Sequence, residues 1–333
     1  MRRGLQLAAA FAATTALPAG AQLKTDVVFT EYSPLSTTAE LVRRLYSPLN
    51  AIRINQEAER AGRTLRGQPI VLANEHYSFY VPDHPRALLV FIPPWPRAEV
   101  PRQWIPALNR YNTILVTAAN SGNEAPTIDR REPLALLALR NITAQYPVDP
   151  QHVYIGGFSG GARVALRLAL GYPDVFHGAL LNAGSDPIGT PDVPLPPSDL
   201  FQHFQESTRL VYLTGERDEE NLVRDMNSRR SLDKWCVYDV ITQTEPRTGH
   251  ELADASAFGR SLEALLGQRH SDPDKLEDCR ARIARELTTQ LGQVENAFAR
   301  GDSNGATQLL SQIDARYGGL AAPRSVELLT PSN

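Results

Sequence analysis

Short apolar runs with little polar interruption recur through the middle of the chain, at 69–73, 87–92, 113–117, 153–156, 179–181, 210–214 and 236–242. Runs of this length and uniformity predict strands covered on both faces, as in a parallel sheet. Between several of them the apolar spacing becomes helical, notably over 133–146 and 162–170. Strands separated by helices give the α/β class: a mostly parallel central sheet flanked by helices. Ahead of the sheet, Thr37-Thr38-Ala39-Glu40 reads as a capping box, predicting a helix through Leu41, Val42 and Leu45 that Pro48 interrupts. From Asp274 onward, Leu276, Cys279, Ile283, Leu287, Leu291, Val294 and Phe298 recur at spacings of three and four. Leu309, Leu310, Ile313 and Tyr317 follow after a glycine-bounded break. This predicts an antiparallel helical hairpin with an apolar stripe on each helix. Docking onto the core is the simpler use of those stripes, and a partner-binding surface is the other.

The first residues read as an export signal. Arg2 and Arg3 precede an apolar stretch over 5–17, too short for a stable membrane span, and Ala19-Gly20-Ala21 offers small residues for cleavage after Ala21. A buried N-terminal helix is the alternative. The expected organisation is a signal peptide over 1–21, a helical lead-in over 22–64, the α/β domain over 65–268 and a helical appendage over 269–333. No later stretch approaches about 20 uninterrupted apolar residues, so no membrane contact is expected after cleavage. The protein is expected outside the cytoplasm, periplasmic or extracellular.

Composition narrows the function further. With 42% hydrophobic and 21% charged residues, the chain has enough apolar material for a packed core. A net charge of −3 gives no basic excess to hold phosphate backbones, which disfavours nucleic acid as a partner. The two cysteines have no metal-like spacing. Exported together, Cys236 and Cys279 are expected to pair and tie the appendage to the core, the alternative being two separately buried thiols.

The chemistry concentrates at Gly157-Phe158-Ser159-Gly160-Gly161, a G-x-S-x-G directly after the predicted strand at 153–156 and directly before the predicted helix at 162–170. This context suits a nucleophile elbow, in which a serine sits on a strained strand-to-helix turn and neighbouring glycines remove colliding side chains. The Gly160 N–H would then help to hold a developing oxyanion. Arg163 and Arg167, four apart, read as a solvated stripe on the following helix.

A serine hydroxyl is a weak nucleophile and needs a base and an orienting acid. In this architecture the chain order is Ser, acid, His. Of His177, His203, His250 and His270, only His250 falls in a loop just after the predicted last strand. The acid is expected one strand earlier, in Gly215-Glu216-Arg217-Asp218. Asp218 is preferred, with Glu216, Glu219 and Glu220 as substitutes in the same loop and helix capping as the competing job for Asp218.

On these landmarks the chain resembles the α/β-hydrolase superfamily. The residues carrying the resemblance are Tyr146 to Gly161, with Gly-Gly-Phe-Ser-Gly-Gly at its end, then Tyr172-Pro173-Asp174-Val175-Phe176, Gly215-Glu216-Arg217-Asp218 and Gly249-His250. It is most similar to the secreted polyhydroxybutyrate-depolymerase and feruloyl-esterase type. The resemblance implies a serine esterase with Ser159, Asp218 and His250 as its triad, working without metal or organic cofactor. One departure stands out. Where that family usually has a His-Gly pair after the strand at 87–92, this chain has Pro93-Pro94-Trp95-Pro96. Proline has no N–H to donate, so Trp95 is the nearest second oxyanion donor.

The expected activity is therefore cleavage of carboxylic esters, small or polymeric. A secreted peptidase of the same fold and a catalytically silent binding protein are the alternatives. Phe158, Trp104 and Phe201, with Trp95, are candidate walls of a substrate pocket. So are the proline-rich loops after the strands at 87–92 and 179–181, which otherwise serve as stiff linkers.

Overall fold

A computed structural model describes residues 20–269 and 272–329. The export segment up to residue 19, and His270, lie outside the described residues.

Eight strands form one sheet: β1 (Gln22–Val28), β2 (His76–Val81), β3 (Ala87–Ile92), β4 (Thr113–Ala118), β5 (Val153–Phe158), β6 (Gly178–Asn182), β7 (Arg209–Gly215) and β8 (Val240–Glu245). Their spatial order is β1-β2-β4-β3-β5-β6-β7-β8. β1 and β2 pair antiparallel, as do β2 and β4, and every later pairing is parallel. The helices are α1 (Thr38–Leu45), α2 (Pro48–Arg60), α3 (Ile105–Arg110), α4 (Glu132–Gln145), α5 (Gly160–Gly171), α6 (Ser198–Ser207), α7 (Glu219–Lys234), α8 (Ala255–Leu266), α9 (Pro273–Ala299), α10 (Ser303–Tyr317) and α11 (Arg324–Leu329). This is the α/β-hydrolase fold.

The uniform apolar runs follow from coverage on both sides. In β3, Leu88, Val90 and Ile92 enter one core with Leu41 of α1, Leu134 and Leu137 of α4 and Val164 and Leu168 of α5. Ala87, Leu89 and Phe91 enter the opposite core with Leu108 of α3 and Phe258 and Leu262 of α8. A strand buried on two faces leaves few positions for a polar side chain.

Several expectations need correction. The apolar run at 69–73 is not a strand. Leu72–Asn74 makes a 3-10 turn and Val71 stands 62% exposed, while the strand follows at His76–Val81. The lead-in over 22–64 holds α1 and α2, but it opens with β1, the edge of the sheet. The last strand begins at Val240 rather than at Cys236, because Cys236 lies in a left-handed turn (φ 64°) that plugs the core before the ladder starts. Half of the capping box is present: the Thr37 side chain accepts from Glu40 N, while the Glu40 carboxylate turns to Arg43 and Arg44, and α1 ends before Pro48, which opens α2.

α9 and α10 form the hairpin and pack on the core, with Tyr317 edge-on to Trp235 at 5.6 Å. Asp314 of α10 accepts from Ser47 Oγ (2.5 Å) and Leu49 N (3.1 Å) at the start of α2. Gly319 N donates to Leu195 O at 2.7 Å, so the hairpin also holds the proline-rich loop after β6. Cys236 and Cys279 are joined in a disulfide with their Cα atoms 5.9 Å apart. Among the described residues, no helix is long and apolar enough to cross a membrane.

Candidate active site

β5 runs into α5 through a single residue. Ser159 adopts φ 55° and ψ −122°, a conformation that costs a non-glycine residue strain and turns its side chain out of the sheet edge. The turn is held because Ser159 N donates to Asn182 O on β6 (2.8 Å). It is also tight. A Cβ on Gly157 would fall 2.3 Å from the Gly161 carbonyl, and one on Gly161 would fall 1.9 Å from Ile92 O. Only glycine lets the start of α5 lie against the end of β3.

β7 and β8 deliver the other two groups to the same edge. After Gly215, Glu216 N donates to Glu245 O and Arg217 N to Thr248 O, which sets the turn after β7 beside the turn after β8. Asp218 caps α7, accepting from Asn221 N, and also accepts from His250 Nδ1 at 2.7 Å. His250 Nε2 lies 2.9 Å from Ser159 Oγ. A proton on Nδ1, directed at the Asp218 carboxylate, leaves Nε2 free to accept from the serine hydroxyl. The capping and orienting jobs of Asp218 are therefore compatible. Glu216 instead accepts from Arg247 N, and Glu219 and Glu220 point to solvent. His177 and His203 lie together at the opposite edge of the sheet, with rings 6.4 Å apart.

The imidazole rests on Phe158, with ring centroids 5.0 Å apart, and Phe158 meets Trp95 at 6.3 Å. The other two aromatic candidates lie elsewhere. Trp104 is buried, stacks on Phe258 at 4.0 Å and donates from Nε1 to Ala253 O, so it supports the loop beyond His250 instead of lining a pocket. Phe201 is buried on α6 beneath the hairpin. Both are apolar enough to be attractive as pocket walls from sequence, and for the same reason they are used in the core.

The proline-rich loop after β3 is fixed by its carbonyls. Pro93 O accepts from Arg131 Nη2 (3.2 Å), Pro94 O from Asn123 N (2.9 Å) and Pro96 O from Asn120 N (2.6 Å). Among the described residues the Trp95 N–H donates to no other group. The loop is thus built from outside by the turn after β4, and the Trp95 backbone N–H is left without a partner among the described residues.

Two asparagines escaped sequence reasoning. Asn221 Nδ2 contacts both Asp218 oxygens at 2.9 Å. Asn182 donates from Nδ2 to Leu213 O and accepts from Ala253 N, stitching the serine turn to β7 and to the His250 loop. Neither belongs to a motif. The arginines of α5 also differ from expectation. Arg163 and Arg167 line a cleft of about 540 Å³ that reaches Gly160, and Arg167 pairs with the fully buried Glu132 at 2.8 Å. A second cleft of about 740 Å³ opens on the other side, between Trp95 and Leu252.

The chain thus has the α/β-hydrolase fold, with Ser159, His250 and Asp218 in hydrogen-bond contact where β5 turns into α5. No family model matches the chain. It is 36% identical over 85 residues to "Putative esterase NocK" of Nocardia uniformis subsp. tsuyamanensis, a match spanning 24% of this chain and 23% of that protein. Solved structures similar to it include the Staphylococcus aureus fluorophosphonate-binding serine hydrolase FphF (11% identity, 60% of this chain and 96% of that one, TM-score 0.47). The S-formylglutathione hydrolase FrmB of Staphylococcus aureus is similar at 11% identity, over 59% of this chain and 94% of that one, with a TM-score of 0.46. A ferulic acid esterase is similar at 16% identity, over 57% of this chain and 90% of that one, with a TM-score of 0.42.

Proposed function

We propose that the chain is an exported serine hydrolase that cleaves carboxylic esters through an acyl-enzyme. The observation that carries this reading is the continuous Ser159–His250–Asp218 contact, 2.9 and 2.7 Å, at a serine held with positive φ. Ser159 Oγ attacks the ester carbonyl while His250 Nε2 takes its proton, and Asp218 holds the imidazole and balances the imidazolium. The tetrahedral oxyanion accepts from the N–H groups of Gly160 and Trp95. Collapse breaks the ester C–O bond, and His250 returns the proton to the leaving alkoxide. Water then attacks the acyl-serine with His250 again as base, releasing the acid and restoring Ser159.

Export to the periplasm or the extracellular space is supported by the Arg2-Arg3 start, the Ala19-Gly20-Ala21 site and the Cys236–Cys279 bond. The family-like landmarks make bulky aromatic and polyester-type esters the first substrates to try. Pro93 and Pro94, which offer no N–H, favour a second reading: a binding protein that retained the fold.

A fluorophosphonate probe, with Ser159→Ala as control, tests the nucleophile, and chromogenic ester and peptide panels then test the bond cleaved. Labelling lost in Ser159→Ala together with ester turnover is the expected result. Absence of labelling in a folded protein would overturn the hydrolase reading and favour the binding protein.

A further inference from the structure

We infer that the cleft beside Gly160 is an anion-recognition subsite, and that the preferred ester carries a carboxylate placed to reach the guanidinium groups of Arg131 and Arg163. This rests on the ester-hydrolase reading and names its substrate class. The cleft volume of about 540 Å³ suits a small acid, and its floor is one face of α5, with Gly160, Arg163, Val164 and Arg167 in register. Helix rise places Arg163 and Arg167 about 4.5 and 10 Å along the axis from Gly160. A substrate with its carbonyl at Gly160 therefore meets Arg163 within a few bond lengths.

The charges on the cleft walls are unevenly matched. Arg167 is neutralised by Glu132. Asp186 is shared at long range, 3.9 Å from Arg163 and 3.7 Å from Arg224, and Asp192 stands exposed at the rim. The Nε of Arg163 is buried without a hydrogen-bond partner. Arg131 is 4% exposed and lines the cleft, yet no carboxylate comes within ion-pair distance of it among the described residues. Its donors reach only the carbonyls of Ser121 and Pro93, and burial pulls its pKa down to about 10. Glu132, already paired with Arg167, offsets the burial of Arg131 only through space, so a bound anion would add the direct contact Arg131 lacks, and the planar guanidinium suits a carboxylate in bidentate contact. Arg131 enters the cleft from a π-helical turn, Thr127–Arg131, a distortion often found at functional sites. Because Arg131 also holds Pro93 O, an anion on it touches the same residue that fixes the Trp95 loop.

The test compares the 4-nitrophenyl half-ester of adipic acid with 4-nitrophenyl hexanoate, equal in chain length and differing in one carboxylate. A second arm moves the carboxylate to the leaving group, comparing 4-carboxyphenyl with phenyl hexanoate. In wild type, kcat/KM is expected to favour the anionic ester by about tenfold or more in one arm, through KM. Arg163→Gln should cut that ratio by about tenfold, and Arg163→Glu should bring it below one. A ratio of one or less in both arms, with the neutral esters cleaved, overturns the subsite and leaves the esterase reading intact. If no ester is cleaved, the esterase reading fails, and calorimetry on Ser159→Ala decides the subsite alone. Monomethyl adipate binding tighter than methyl hexanoate, with the advantage lost on adding Arg163→Glu, supports it. Equal binding of the two overturns it.

Discussion

Asn221 reaches both carboxylate oxygens of Asp218 from a single amide nitrogen, at 2.9 Å each, one turn into the helix that Asp218 caps. Asp218, which accepts from His250 Nδ1, is therefore itself held in place, and Asp218 and Asn221 both sit where β7 gives way to α7, facing His250 in the turn after β8. Asp218 is 7% exposed, so its rotamer is set by these contacts and not by water.

Asn221→Ala should consequently lower kcat by about 10- to 100-fold with little change in KM, since the amide touches the acid and not the substrate. Asn221→Asp sets a second negative charge beside Asp218 and His250, and the acid limb of the activity profile should move to higher pH. Steady-state kinetics across pH on both variants check this. An unchanged kcat in Asn221→Ala would remove Asn221 from any positioning part.

Gly161 carries a second prediction. A methyl there meets Ile92 O at 1.9 Å, so either α5 or the loop after β3 must move. Gly161→Ala is expected to cost about 1–3 kcal/mol of stability. It should also lose more than tenfold in kcat, because the displaced loop presents Trp95. Thermal melts and ester kinetics measure the two effects. A variant matching wild type in both would place the contact outside the working site.

These residues mark the limits of what the sequence disclosed. Ser159, Asp218 and His250 were legible because chain order and strand-to-helix context restrict where such groups can stand. Asn221 and Asn182 act through tertiary contacts, and an asparagine near a helix start or strand end has many ordinary uses. β2, His76–Val81, was missed because the neighbouring run at 69–73 is the more apolar. That run has Ile70 and Leu72 turned inward around an exposed Val71, which imitates a strand without a neighbour to pair with. Arg163 and Arg167 have the spacing of a solvated stripe. Only the proline-rich loop after β6, folded over them, makes them a cleft wall.

Asp225 makes stability depend on pH. It lies on α7, 3% exposed, accepting from Thr214 Oγ1, while its Oδ1 has no partner. Burial, against the Thr214 hydrogen bond, pushes its pKa from 3.8 up to about 6. The folded state then holds a proton that the unfolded chain has released between pH 3.8 and about 6. Stability from this group is present below that window and is lost as pH rises through it. Asp225→Asn, which stays neutral, should be about 1–2 kcal/mol more stable than wild type at pH 8 and nearly equal to it at pH 4. Urea midpoints at the two pH values test this. The same difference at both would mean that the effect is packing and not titration.

The disulfide gives the last prediction. Cys236 and Cys279 close a loop of 43 positions between the end of α7 and the first half of α9. In the chain-entropy account, closing a loop of that size stabilises by about 4 kcal/mol. The double variant Cys236→Ala/Cys279→Ala, which leaves no free thiol, should melt markedly lower than wild type. Loosening should begin in α9 and α10, whose tie to the rest of the chain then relies on packing around Trp235 and Tyr317, on the Asp314 contacts and on Arg280, which reaches Gln205 and Glu206 of α6. The hairpin holds Leu195 through Gly319, and Pro194 lines the cleft beside Gly160, so the cleft wall should loosen with it. Ser159, Asp218 and His250 all lie outside the hairpin. Fluorophosphonate labelling of Ser159 should therefore survive at temperatures where limited proteolysis already cuts α9. Loss of labelling before any cleavage of the hairpin would show that the appendage supports the serine turn directly, and that its docking is part of the site.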